Sequence, residues 1–180
     1  MRPLRYLAFS DKGEALAERL AAALGGEAAR CGPSQPLADW TRRAFSQAGG
    51  LVFVGAAGIA VRAIAPHVKS KTEDPAVVVV DECGHFAVPI LSGHLGGAND
   101  LARRIAGVCG ATPVLATATD ANSVFAVDEW ARRQNCRVLN PKAIKTVSSA
   151  VLAGKTVRVY SPWPIAGQPP EHVEQTAGAE

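Results

Sequence analysis

Aliphatic runs of four to six residues alternate along this chain with segments whose apolar positions recur every three or four residues. That alternation predicts strands buried on both faces, separated by helices with a single apolar stripe. Leu4–Phe9 reads as a first strand. Leu16, Leu20 and Leu24 then share one helical face, closed by Gly25-Gly26. Leu37, Trp40, Ala44 and Ala48 repeat the pattern in a second helix that ends at Gly49-Gly50. Leu51–Val54 is a short buried strand, followed by the loop Gly55–Gly58 and a helical stretch interrupted by Pro66. Ala76–Val80 and Phe86–Leu91 flank the turn Glu82-Cys83-Gly84-His85 as the arms of a β-hairpin. Pro89 makes the second arm an edge strand or a bulged one.

Helical spacing returns with Leu101, Ile105 and Val108, and Thr112–Ala116 reads as the next strand. A helix around Asp128–Asn135, a strand at Arg137–Leu139 and a helix opened by Asn140-Pro141 follow, the last carrying Ile144, Val147 and Val151. Thr156–Tyr160 is the final strand. The expected fold is α/β, a layered α/β/α domain with a mostly parallel or mixed sheet over residues 1–160. Residues 161–180 hold Pro162, Pro164, Pro169 and Pro170 with little periodicity, and read as a poorly packed tail or linker.

Composition narrows the class. The chain has 180 residues and a formal net charge of +3, with basic and acidic residues interspersed. That balance, with three tryptophans and two tyrosines for stacking, argues against a nucleic-acid partner. No apolar run reaches the ~20 residues that span a bilayer, and the start Met1-Arg2-Pro3 opens no signal-peptide core, so a cytoplasmic location without membrane contact is expected. The four cysteines, Cys31, Cys83, Cys109 and Cys136, form no C-x-x-C pair. Reduced, partly buried thiols are expected rather than a disulfide framework or a structural zinc site.

The densest chemistry lies in Leu91–Asp100, where an apolar run meets three glycines and a histidine just before a helix. Glycine lets the backbone approach a ligand, and the unpaired amides of a helix start favour an anion. His94 is either a general base or donor near neutral pH, or a turn histidine bonded to backbone. Ser92 lacks the G-x-S-x-G elbow and reads as a hydrogen-bonding or capping residue. Three loops, Gly55–Gly58, Ser92–Asn99 and Thr117–Asn122, are expected to leave the carboxyl ends of strands, the edge at which α/β sheets collect ligands. They are expected to converge there. Asp120 is the better second acid–base partner and Asp100 the weaker, although a plain helix cap also accounts for Asp120. Arg62, Lys69 and Lys71 either hold anionic groups or form a solvated helix face. His67 reads as a helix-end cap, with His85 and His172 as bystanders. Gly55-x-x-Gly58 matches a nucleotide loop only faintly.

Four ordered blocks carry a family resemblance: Val54–Lys71, Asp74–Asp81, Leu91–Ala102 and the turn Thr117–Asp120. Together they resemble the CbiG proteins of anaerobic cobalamin biosynthesis, the cobalt-precorrin-5A hydrolases. Position 57 departs from the family, being Ala where Thr is common, and the chain stops where a typical member continues into a C-terminal domain. The resemblance implies hydrolysis of the ring A acetate δ-lactone of cobalt-precorrin-5A, releasing acetaldehyde and giving cobalt-precorrin-5B. It implies His94 as base with Asp120 assisting, and Gly55, Gly58, Arg62, Lys71, Ser92, Gly93, Gly96, Gly97 and Asn99 as substrate-binding residues. Amides around Gly96 and Gly97 would hold the oxyanion, and Arg62 a peripheral carboxylate. Cobalt travels inside the substrate, so neither a further cofactor nor a protein-bound metal is implied. The partners implied are the cobalt-precorrin tetrapyrrole and a separate C-terminal-domain protein, with homo-oligomerisation left open. The alternative is a non-catalytic tetrapyrrole-binding or carrier module.

Overall fold

A computed structural model describes residues 2–165 and 167–178. The chain divides into two compact units, Met1–Leu115 and Ala116–Glu180, whereas the sequence pattern predicts one domain over 1–160.

The first unit is a six-stranded sheet between two helical layers. Its strands are β1 (Leu4–Ala8), β2 (Glu27–Arg30), β3 (Gly50–Val54), β4 (Ala76–Val80), β5 (Phe86–Leu91) and β6 (Thr112–Pro113), in the order β2-β1-β3-β4-β5-β6. Its helices are α1 (Asp11–Leu24), α2 (Leu37–Gln47), α3 (Ala57–Ile64) and α4 (Ala98–Cys109). Alternation along the strands sorts the core into two halves. Val52, Val54, Val78 and Val80 face Leu16 and Leu20 of α1 and Leu101 and Ile105 of α4. Leu51, Phe53, Val77 and Val79 face Trp40 and Ala44 of α2 and Ala60 and Ile64 of α3, with Trp40 edge-on to Phe53 at 5.5 Å.

Local signals place the helix ends. Ser10 caps α1, its hydroxyl accepting from the Gly13 amide at 3.1 Å, with Asp11 and Glu14 in the first turn. Pro66 stops α3 at Ile64, and the chain tightens into a 3-10 turn over Ala65–His67.

β1 to β4 run parallel, and the hairpin turns β5 antiparallel to β4. The ladder slips beside Pro89, where Val77 pairs Leu91 and Val78 pairs Pro89, so the expected bulge is present. The edge-strand alternative is not, because β6 pairs with Phe86 and Ala87 on the other side. Pro89 lies beyond that short ladder, so its missing amide breaks no bond there.

The second unit holds α5 (Ala118–Ala121), α6 (Val127–Arg133), α7 (Pro141–Leu152) and a parallel pair, β7 (Val157–Tyr160) with β8 (Val173–Thr176). The expected strand at Arg137–Leu139 is irregular, and Leu139 is 91% exposed. The expected loose tail is instead partly ordered. β8 pairs with β7, and Pro169 and Pro170 line a cavity of about 260 Å³ with Phe125, Trp130 and Val159. No helix among the described residues is long and apolar enough to cross a membrane.

Candidate active site

The hairpin decides which loops can meet. Because β5 runs against β4, its carboxyl end lies where β3 and β4 begin: Leu91 pairs with Val77, and Gly50 with Ala76. A Cβ added to Gly96 would come within 3.3 Å of the Ala76 amide, so the Ser92–Gly97 loop sits on that starting edge. Gly55 lies at the other edge, its amide donating to Val80 O at 2.8 Å. The edges are separated by the strand length, about 13 Å for four steps at ~3.3 Å each. The expected convergence of the Gly55–Gly58 and Ser92–Asn99 loops is therefore overturned. A hairpin sends the second strand back, so its carboxyl end cannot share an edge with the first.

The Ser92–Gly97 loop is tightly folded. Gly96 has no room for a side chain, since a Cβ there would stand 2.4 Å from Ser92 Cβ and 2.9 Å from Ser92 O. Ser92 has φ 55°, in the left-handed region, and its hydroxyl is buried with no hydrogen-bond partner among the described residues. His94 is half-buried and accepts the Gly97 amide on its carbonyl at 3.0 Å. The Ala98 amide donates to Ser92 O at 3.1 Å and the Asn99 amide to Gly93 O at 3.0 Å. Three of the four donors that a helix start offers are thus consumed by the loop itself. This corrects the oxyanion role expected of Gly97, whose amide is already engaged.

Cations gather at the same edge. Lys69 and Lys71 lie on the segment leading into β4, and Asp74 fixes that segment by accepting the Lys69 amide on both oxygens, at 3.1 and 3.0 Å. Beside it opens a cavity of about 480 Å³ lined by Arg2, Arg42, Phe45, His67, Lys69 and Asp74 among others. The rings of Phe45 and His67 lie 5.7 Å apart, tilted by 38°, and both line the cavity. Arg2 and Arg42 were missed in the sequence because no local motif marks them; only the sheet brings residue 2 beside residue 42. Arg62 is placed elsewhere, its guanidinium bonded to Gly58 O at 3.1 Å near the Gly55 edge. The residue expected to hold a peripheral carboxylate thus lies at the edge away from the His94 loop.

In the second unit, Thr117 precedes α5 and its hydroxyl donates to the Asp120 carboxylate. Asp120 and Glu129 carry carboxylate oxygens within 4.8 Å of each other. Glu129 escaped the sequence reading because it looked like one more acidic residue in the first turn of α6.

Sequence comparison finds two adjoining matches. The family described as Cobalamin synthesis G N-terminal matches residues 39–120, and Cobalamin biosynthesis central region matches 125–177. The chain is 43% identical over 161 residues to the Cobalt-precorrin-5A hydrolase of Salmonella typhimurium, covering 82% of this chain and 45% of that protein. It is 37% identical over 115 residues to the Cobalt-precorrin-5A hydrolase of Priestia megaterium, covering 64% and 31%. The chain thus spans less than half the length of these relatives. Its fold is similar to that of a cobalamin biosynthesis protein G homolog from Sulfolobus solfataricus, with a TM-score of 0.60 and 22% identity, covering 99% of this chain and 57% of the other.

Proposed function

The chain belongs to the CbiG family of cobalamin synthesis proteins, matching its N-terminal and central regions, and from that premise we propose that it opens the ring A acetate δ-lactone of cobalt-precorrin-5A. In this reading one water is consumed, acetaldehyde leaves and cobalt-precorrin-5B is formed. The observation that carries it is the 43% identity over 161 residues to a protein named for that reaction.

Lactone hydrolysis needs an activated water, a donor to the carbonyl oxygen as it gains charge, and anchors for the carboxylate arms. Ser92 and His94 share one folded loop, which makes them the paired candidates. His94 takes the proton from water, and the unpartnered Ser92 hydroxyl supplies a donor. Lys69, Arg2 and Arg42 line the cavity at this edge, with Lys71 on the segment leading into β4, as anchors for acetate and propionate groups. Asp120, in the second unit, is the proposed second acid–base group, and Glu129 joins it as a new candidate. Gly93, Gly96 and Asn99 shape the loop, whereas Gly55, Gly58 and Arg62 lie away from it. Cobalt enters within the substrate macrocycle, and we place the reaction in the cytoplasm.

Incubating the purified chain with cobalt-precorrin-5A and measuring released acetaldehyde tests the proposal. Release above the rate without protein is expected. Substrate that binds but stays intact would overturn hydrolysis in favour of a non-catalytic tetrapyrrole-binding module.

A further inference from the structure

The turn joining β4 to β5 lies at the edge opposite the Ser92–His94 loop and takes no part in the proposed hydrolysis. Three side chains at alternate positions, Asp81, Cys83 and His85, each bring a ligand atom within 4.8 Å of the other two. We propose that this turn binds one borderline divalent cation of the Zn²⁺ class, ligated by the Asp81 carboxylate, the Cys83 thiolate and the His85 imidazole.

The donor set fits that class. Oxygen, sulfur and nitrogen together suit Zn²⁺ better than Mg²⁺ or Ca²⁺, which take oxygen ligands. A three-ligand site leaves a position open to water or to a further ligand. The ligands alternate along a turn, so no C-x-x-C signature marks them in the sequence.

The backbone that carries the ligands is already held. The Gly84 amide donates to Asp81 O at 2.9 Å and closes the turn. Asp81 accepts the Cys83 amide at 3.0 Å on one oxygen and the Phe86 amide at 2.7 Å on the other. The His85 amide bonds the same carboxylate, which leaves one of its roughly four lone-pair positions for a metal, and such fixed outer contacts orient a ligating carboxylate. The Thr112 amide donates to His85 O at 2.7 Å, tying the histidine's backbone to β6. His85 Nδ1 stands 3.7 Å from Asp81 Oδ1, so a modest side-chain rotation brings both onto one ion.

The neighbouring charges are consistent with a cation here. Lys12 Nζ already sits 3.0 Å from Cys83 Sγ, in a place that a metal ion would take over. Glu82 accepts a hydrogen bond from the Ser10 hydroxyl at 2.6 Å and places a second carboxylate charge on the same turn. Cys83 and His85 are exposed, so an ion reaches them from solvent without opening the core.

The test uses the whole reduced chain with Zn²⁺ in competition with a chromophoric chelator, and Co²⁺ as a spectroscopic probe. One ion per chain is expected, with a thiolate-to-Co²⁺ charge-transfer band. Cys83→Ser and His85→Ala should each weaken Zn²⁺ binding by about 10–100-fold, and Cys83→Ser should abolish the band. Cys31→Ser should change neither. Thermal unfolding should stay near wild type in Cys83→Ser and His85→Ala, since both residues are exposed. Zn²⁺ affinity unchanged in both Cys83→Ser and His85→Ala would overturn the site. So would a wild-type Co²⁺ complex without a thiolate band. Neither result bears on lactone hydrolysis, which depends on the opposite edge.

Discussion

Ser92 holds two unfavourable features at once. Its backbone has a φ of 55° without being glycine, and its hydroxyl is buried without a partner among the described residues. Left-handed backbone costs of order 1–3 kcal/mol, and a buried unsatisfied hydroxyl about 1–3 kcal/mol more. A residue that served only packing would gain stability by losing that hydroxyl. Ser92→Ala should therefore leave the unfolding midpoint unchanged or raise it, while lowering acetaldehyde release by about tenfold or more through the lost donor. Paired denaturant titrations and turnover assays separate the two effects, and a variant both less stable and fully active would remove Ser92 from the site. His94 makes a cleaner chemical probe. His94→Gln keeps a polar side chain but cannot cycle a proton near neutral pH, so turnover should fall by about 100-fold with little change in substrate binding. Near-wild-type turnover would move the base to Asp120 or Glu129.

At the scale of elements, strands and helices with unbroken apolar patterns were legible in the sequence, and consequences of topology were not. Ala76–Val80 is entirely buried and Phe86–Leu91 returns beside it, as the residue pattern implies. The hairpin was thus readable, yet its effect on loop placement is a property of the sheet and not of any segment. β2, Glu-Ala-Ala-Arg, was invisible because it has no aliphatic run and only half-buries its alanines at the sheet edge. Arg137–Leu139 misled in the opposite sense, since an isolated Val-Leu pair carries β propensity but finds no neighbouring strand. β1 supplies a test of packing by pH. Burial raises the Tyr6 phenol from 10.0 to about 12, an effect that nearby Arg104 partly opposes. Its hydroxyl donates to Gly25 O at 3.2 Å, joining β1 to the end of α1. The folded state favours the neutral phenol, so this contribution is complete below pH 10 and is lost as pH rises towards 12. The urea midpoint should decline across that window in wild type. Tyr6→Phe should flatten the decline, and an identical decline in the variant would show that another group titrates.

At the scale of the molecule, the division at Leu115 left no mark in composition. Leu115-Ala116-Thr117 joins the units without a glycine, a proline or a run of charge, so the usual linker signals are missing. Even so, the two matched family regions, 39–120 and 125–177, meet within ten residues of that structural boundary. Both buried clusters of the first unit draw on its own strands and helices, and the six-stranded sheet closes within it. A fragment ending at Leu115 should therefore unfold cooperatively by itself, as coincident fluorescence and circular dichroism transitions would show. Non-coincident or gradual melting would mean that residues 116–180 are needed to complete its core. The fragment retains Ser92, His94, Lys69 and Lys71 but loses Asp120 and Glu129. If those carboxylates take part in proton transfer, the folded fragment should bind the tetrapyrrole and release acetaldehyde about 100-fold more slowly than the whole chain. Equal turnover by the fragment would confine the catalytic groups to the edge where β5 ends and leave the second unit with binding alone.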